Sequence, residues 1–260
     1  LLRETSRKVF VPLTASGGIR SIEDAANLLA NGADKIAINT AALKRPSLIS
    51  ELVNTFGSQC VVISIQARKV RSSSSWEAMT EMGREHSGKD VVDWIKQIQD
   101  LGAGEILLTS IDKDGLCNGP DHELIKTASE ISKIPLIVGG GFAQAKDIKN
   151  VLKNLNVSGI SIGKAFHNNS LEIKKLKEEI YASKITIRGI SSEEKNLKVK
   201  DELKGIKIGI LDYGIGNQQS LINALQFQGA EIILSKDTSE LSQTNLIAVP
   251  GVGAFGKSMN

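Results

Sequence analysis

The sequence predicts an α/β fold with a parallel sheet and crossover helices, and three observations carry that prediction. Short apolar runs alternate with amphipathic stretches from Val9 to Tyr181, six strand–helix units in all, the signature of parallel strands joined by helices. The runs are nearly continuous in apolar residues, as in strands covered on both faces. Finally, Leu13–Ala42 is echoed at Leu136–Phe166: setting Gly17 on Gly140 and Gly18 on Gly141 also matches Asp24 with Asp147, Asn27 with Asn150 and Leu29 with Leu152. Such an echo points to two half-units. Six units suffice for an open doubly wound sheet. Echoing halves of four strands each favour a (β/α)8 barrel lacking its first two βα units, which would lie before Leu1.

Taken in order, Val9–Thr14 reads as a strand. Ser21–Asn31 reads as a helix, with Ser21 as N-cap, Asp24 three positions on and Gly32 ending it. Lys35–Ile38 is a strand, and Ser47–Phe56 a helix following Pro46. Cys60–Ile65, β-branched throughout its centre, is a strand buried on both faces. Lys69–Lys89 breaks the rhythm with four serines at 72–75 and reads as a polar excursion, a hairpin around Gly83. Asp90–Leu101 places Val91, Trp94, Ile95 and Ile98 at helical spacing. Then follow strand Glu105–Thr109, helix His122–Ile131, strand Ile134–Val138, helix Lys146–Leu152, strand Gly159–Ile162 and the charged helix Leu171–Tyr181. Residues 1–190 thus form the barrel-type domain. The polar stretch 191–205 is a linker. Residues 206–260 open a second α/β domain, with strands at Ile206–Leu211, Glu231–Leu234 and Leu246–Val249 and a helix running to Gln228. The abrupt ends at Leu1 and Asn260 suggest a fragment.

Composition narrows the function. Of 260 residues, 41% are hydrophobic and 23% charged, with a formal net charge of +3. The lysines are scattered rather than clustered with aromatics, which gives no case for nucleic acid. No apolar run approaches the length of a membrane span. With two cysteines, Cys60 and Cys117, there is no disulfide framework; a cytoplasmic protein with both as packing residues is the expectation. His86, His122 and His167 lack metal-ligand spacing, so no metal and no cofactor is expected.

The chemistry-bearing positions cluster at strand ends. Gly17-Gly18 and Gly139-Gly140-Gly141 each sit between a strand and a helix, where backbone N–H groups can approach a phosphate; a tight turn needing positive φ is the plainer alternative. Asn39-Thr40 and Gly163-Lys164 end the next strands and would complete two phosphate cups. In a barrel the C-terminal face is the reactive one, and phosphate sites commonly follow strands seven and eight, the positions of Gly139–Gly141 and Gly163-Lys164 in this count. Asp112 and Asp114, in SIDKDG, are candidates for acid–base work or an Asp-rich turn into Gly115. Gln66 ends the CVVISI strand, where a proton-transfer group would be expected, yet an amide transfers none. Lys35 and Glu105 lie at the opposite strand ends and read as a salt-bridged rim.

The segments VPLTASGGI, GADKIAINTAA, FGSQCVVISI, GAGEILLTSIDKDG and GKAFH occur here in an order that closely resembles the cyclase subunit of imidazole glycerol phosphate synthase, over residues 1–188. From Ile206 on, LDYGIGN and PGVGAFG resemble the start of that enzyme's glutaminase subunit, a class I glutamine amidotransferase. The resemblance implies a lyase/cyclase of histidine biosynthesis with a glutaminase domain in the same chain. Ammonia released from glutamine would cross the barrel and react with a ribotide carrying a phosphate at each end. Gly17, Gly18, Asn39 and Thr40 match one phosphate cup. Asp114, Gly115, Gly141, Gly163 and Lys164 match the other, with Gly139 and Gly140 beside it, and Thr109 would contact the middle of the substrate. Lys35 and Glu105 match a charged ammonia gate, Asp34 would face the glutaminase, and Gly251, Val252 and Gly253 match an oxyanion-hole turn. The chain departs from the pattern at Gln66, where a catalytic aspartate is expected, and at Ser16 and Lys164. The other catalytic aspartate would precede Leu1, and the glutaminase nucleophile would follow Asn260. Two alternatives therefore accompany the cyclase reading: a paralogue channelling ammonia for sugar amidation in surface-polysaccharide synthesis, and a non-catalytic scaffold for the glutaminase.

Overall fold

A computed structural model describes residues 2–9, 11–71, 73–187, 202–212 and 218–250. In chain order the elements begin with α1 (Leu2–Ser6), β1 (Thr14–Ser16), α2 (Ile22–Ala30), β2 (Lys35–Ile38), α3 (Thr40–Lys44) and α4 (Ser47–Phe56). Next come β3 (Val61–Lys69), β4 (Trp76–Thr80), β5 (Glu85–Asp90), α5 (Val91–Asp100), β6 (Glu105–Ser110), α6 (His122–Ile131), β7 (Leu136–Gly139) and α7 (Ala145–Asn154). The chain continues with β8 (Gly159–Ser161), α8 (Lys164–His167), α9 (Ile173–Ala182), β9 (Lys207–Leu211), α10 (Gln219–Phe227), β10 (Glu231–Ser235), α11 (Thr238–Leu241) and β11 (Leu246–Ala248). The class is α/β. Two compact units result, Leu1–Ile38 with Ser50–Val61 and Glu193–Asn260, and Asn39–Ile49 with Val62–Ser192.

In the first unit β1 and β2 pair in parallel, Thr14 opposite Lys35 and Ser16 opposite Ala37. The capping box holds as the sequence predicts: the Ser21 hydroxyl accepts from the Asp24 N–H, and Asp24 accepts from the Ser21 N–H at 3.0 Å. The strand expected over Val9–Thr14 begins only at Thr14. Pro12 brings no N–H to a ladder, and the Leu13 N–H is taken by the Asp34 carboxylate at 2.7 Å. The Leu13 carbonyl in turn accepts from the Asp34 and Lys35 N–H groups, at 2.8 and 3.1 Å. The same unit holds a parallel sheet of order β10-β9-β11, with Ile208 and Ile210 of the central strand buried. The buried Asn223 of α10 donates to the Ser6 carbonyl at 2.6 Å.

The second unit carries the parallel strands β3, β6, β7 and β8, each paired with the next, the pattern of a βα barrel. α5 packs against β4, β5 and α6, and its Val91, Trp94, Ile95 and Ile98 are buried. Each such side chain contributes about 1.5–3 kcal/mol of hydrophobic burial. Its N-cap, Asp90, accepts from the Val92 and Asp93 N–H groups.

The apolar strand expected over Cys60–Ile65 is buried at every position but Ser64; beyond it Ala67 is buried and Gln66 and Arg68 are half-buried. The polar excursion forms the expected hairpin and also joins the sheet. β4 pairs antiparallel with β3, Gln66 opposite Met79 and Lys69 opposite Trp76, and β5 pairs with β4. Trp76, Ala78, Met79 and Thr80 are buried. The hairpin turns through three successive left-handed residues, Glu81 (φ 48°), Met82 (φ 59°) and Gly83 (φ 80°). Most of the expected linker, the LDYGIGN turn beyond Asp212 and the oxyanion turn Gly251–Gly253 lie outside the described residues. Among the described residues no helix is long and apolar enough to cross a membrane.

Candidate active site

The ends of β3, β6, β7 and β8 form one row. Gln66 lies opposite Thr109, Thr109 opposite Gly139, and Gly139 opposite Ser161. Beyond Thr109, Gly139 and Ser161, the three following loops enclose a cleft of about 190 Å³. It is lined by Thr109, Asp114, Gly115, Gly139, Gly140, Gly141, Gly163 and Lys164, which the sequence singles out, and by Cys117, Phe142, Ser161 and Ile162, which it does not. Strand-end residues meet in such a row because parallel strands in register stop at the same level.

The glycines serve different purposes. A Cβ on Gly140 would lie 2.6 Å from the Ser110 carbonyl, and one on Gly141 would run into the Gly119 carbonyl; both residues also have positive φ. These two let the loop after β7 pack on the loop after β6, where the Gly119 N–H donates to the Gly141 carbonyl at 3.0 Å. Gly163 is different. Its φ is −111°, and a Cβ there would meet nothing within 4 Å. Neither strain nor packing within the chain requires a glycine at that point. Gly163 lines the cleft.

Across the cleft, the Lys164 ammonium donates to the Gly115 carbonyl at 2.6 Å. Asp114 is exposed, with its N–H bonded to the Ser110 carbonyl at 2.9 Å. The expected Asp112/Asp114 pair is split. Asp112 accepts from the Lys69 N–H at 2.7 Å and faces a separate cleft with Arg68, Lys69, Arg71, Glu77 and His86. The reason is the turn after β6: it bonds back to Ser110 and sends the two carboxylates to opposite sides of one loop. In that second cleft Lys69 pairs with Glu123 at 2.6 Å, and this hydrogen bond raises the lysine pKa and lowers that of the glutamate. Glu77 is held below the ordinary carboxylate range, first by His86 and also by the Gly88 N–H.

Gln66 stands one strand from the cleft. Its Oε1 accepts from Asn39 Nδ2 at 3.0 Å, and the same amide donates to the Met79 carbonyl at 3.2 Å. Asn39 Oδ1 is buried without a protein partner. The Thr40 hydroxyl accepts from the Glu81 N–H at 3.0 Å, so the hairpin tip is seated on the start of α3. Gly17 (φ 98°) and Gly18 (φ 74°) have open space where a Cβ would point. Near them, Asp24 also accepts from the Arg20 N–H at 2.9 Å, and these bonds lower its pKa. A carboxylate thus already occupies the amides before α2. In the echo, Gln144 replaces Ser21 and α7 has no side-chain cap. Lys35 begins β2 in the first unit, and Glu105 begins β6 in the second.

Cys117 corrects the packing expectation, since it lines the cleft with a left-handed φ of 56°. A non-glycine residue in that conformation carries no signal in the sequence. Cys60 is buried, and burial raises its pKa, which leaves the thiol protonated and unreactive. The described residues contain no cluster of three or more side chains suited to a metal ion.

A parallel α/β scaffold with a glycine-lined cleft at its strand C-terminal ends defines a βα-barrel-type protein. The chain belongs to the histidine biosynthesis protein family, whose model matches residues 1–172. It is 52% identical over 147 residues to imidazole glycerol phosphate synthase subunit HisF of Legionella pneumophila, covering 56% of this chain and 69% of that protein. It is 41% identical over 193 residues to the subunit of the same name from Lactococcus lactis subsp. cremoris strain SK11, covering 74% of each. For strain MG1363 the identity is 40% over the same length.

Proposed function

We propose that the protein acts as the cyclase of imidazole glycerol phosphate synthase in histidine biosynthesis. The reading is carried by the cleft beyond β6, β7 and β8, and above all by Gly163, whose missing side chain has no explanation inside the chain. A phosphate oxygen fits that space. Gly139–Gly141, Gly115 and Lys164 surround it with backbone amides and one cation, the donors a phosphate needs. Thr109, next in the row, offers a hydroxyl to the middle of the ribotide. The family resemblance assigns Gly17, Gly18, Asn39 and Thr40 to its other phosphate, and Lys35 and Glu105 to ammonia entry. Asp114 is the carboxylate left at the cleft for proton transfer or orientation, while Gln66, at the end of β3, supplies hydrogen bonds alone.

The relatives are named as subunits, so a glutaminase partner belongs to this reading. The C-terminal motifs LDYGIGN and PGVGAFG, with the parallel β10-β9-β11 sheet, support the start of that glutaminase in the same chain, Gly251–Gly253 supplying an oxyanion-hole amide.

One residue favours a second reading. With Gln66 in place of a carboxylate, the barrel would bind and conduct without turnover, as a scaffold or as a paralogue delivering ammonia for sugar amidation. The deciding experiment supplies the bisphosphate ribotide and an ammonium salt to the full-length protein and follows imidazole glycerol phosphate. Turnover supports the cyclase. If the chain is inactive but Gln66→Asp raises turnover by roughly 10²–10⁴-fold, the binding apparatus is that of the cyclase and the proton-transfer group is what this chain lacks. Absence of product from both proteins, each shown to bind the ribotide, overturns the cyclase reading.

A further inference from the structure

The loop after β6 is fastened at its two ends. The Ile111 N–H bonds to the Ala67 carbonyl and the Asp114 N–H to the Ser110 carbonyl, both at 2.9 Å. At the far end the Gly119 N–H bonds to the Gly141 carbonyl. Between these anchors lies Gly115, at φ 72°, with open space around it. The Leu116 N–H beside it bonds to the Lys113 carbonyl at 3.1 Å, and a side chain from the start of α8 reaches over: Lys164 Nζ donates to the Gly115 carbonyl at 2.6 Å. Among the described residues the Lys164 ammonium is in no ion pair. An ammonium has three N–H donors, and one is used on Gly115. The other two remain for an oxyanion in the cleft that Lys164 and Gly115 both line.

We infer that Lys164 is a positioning residue that transmits occupancy of the phosphate site to Asp114. A phosphate bound beside Gly141 and Gly163 takes the two remaining ammonium donors. The lysine is then held at both ends, with Gly115 on one side and the anion on the other. Side-chain freedom that the lysine keeps in the empty cleft is lost, and the Gly115 carbonyl is fixed with it. Asp114 is the next residue, so its carboxylate is ordered only when the phosphate end of the ligand is in place. A ligand lacking that phosphate would enter the same cleft without fixing the acid. The site would thereby select for phosphorylated ligands through the order of one loop as well as through contact. The inference rests on the phosphate reading of this cleft.

The test uses inorganic phosphate with the full chain and with Lys164→Met and Lys164→Arg. Calorimetry gives affinity, amide NMR shifts at Gly141 and Gly163 locate binding, and hydrogen exchange follows residues 113–119. In the parent protein, phosphate should shift both glycines and slow exchange across 113–119. Lys164→Met should bind about tenfold or more weakly, the loss of a charge-assisted hydrogen bond, and at saturating phosphate its loop should show no slowing. Lys164→Arg, which keeps the charge, should stay within about threefold of the parent. Phosphate that shifts Gly141 and Gly163 yet leaves loop exchange unchanged, or that slows it equally in Lys164→Met, overturns the positioning role and leaves the phosphate site standing. An arginine variant as weak as the methionine one also overturns it. Failure of the parent protein to bind phosphate at these glycines overturns the phosphate reading and the positioning role together.

Discussion

Gly163 and Gly140 look alike in the sequence, yet the structure asks different things of them. An alanine at 140 would press its Cβ to 2.6 Å from the Ser110 carbonyl and would sit at φ 96°. Gly140→Ala should therefore lower stability by about 2 kcal/mol or more, read as an earlier denaturation midpoint. Gly163→Ala meets no atom and no strain. Its midpoint should stay within about 0.5 kcal/mol of the parent, while phosphate affinity falls by about tenfold as the methyl enters the anion's space. The sequence shows the glycines, and the echo groups them. It does not show which glycine answers to a neighbouring carbonyl and which to a ligand, because that depends on loops 20 residues or more apart. The same limit hid Cys117, Phe142 and Ser161, whose places in the cleft follow from strand register. It also made Asp112 and Asp114 look like a pair, since two carboxylates two residues apart can point to opposite sides of a turn.

At the scale of elements, the β4–β5 hairpin depends on Glu77, whose side chain bonds His86 at 2.8 Å and the Gly88 N–H at 2.7 Å. Its folded pKa lies below the ordinary 4.5. The stabilisation is thus complete above pH 4.5 and is lost as pH falls through the lower folded value. Between pH 7 and pH 3 the parent should lose more stability than Glu77→Gln does, by at most about 1 kcal/mol after solvent screening. Paired denaturant titrations at the two pH values measure this difference. Elements with a complete local signal were legible. The capping box at Ser21 and Asp24 marks α2, and the 3.6-residue spacing of Val91, Trp94, Ile95 and Ile98 marks α5. β1 was displaced because Asp34, 21 residues away, claims the Leu13 N–H. The short helices α3 and α8 went unread because a single turn carries no periodicity.

For the whole molecule, alternating strands and helices were enough to give the α/β class and parallel pairing, since each strand needs only its own run of apolar residues to be recognised. Stability should be uneven within that frame. β3 and β6 are each paired on both sides, whereas among the described residues β11 pairs only with β9 and leaves Leu246 and Ile247 exposed. Amide exchange should be slowest at residues 62–67 and 106–108, and faster by roughly a hundredfold at 246–248; a uniform rate across these segments would contradict this ranking.

The bond between Asn39 and Gln66 has one more consequence. It joins two carboxamides, which neither gain nor lose a proton across the range in which the fold persists. A bell-shaped pH–rate curve needs two titrating groups, one for each limb. With Gln66 in the row of strand ends, the curve for any turnover should keep one sloping limb and run flat where the other would fall. Gln66→Asp should bring back the missing inflection. The profile would then report, from the slope of a line, whether Gln66 stands where turnover needs a titrating group.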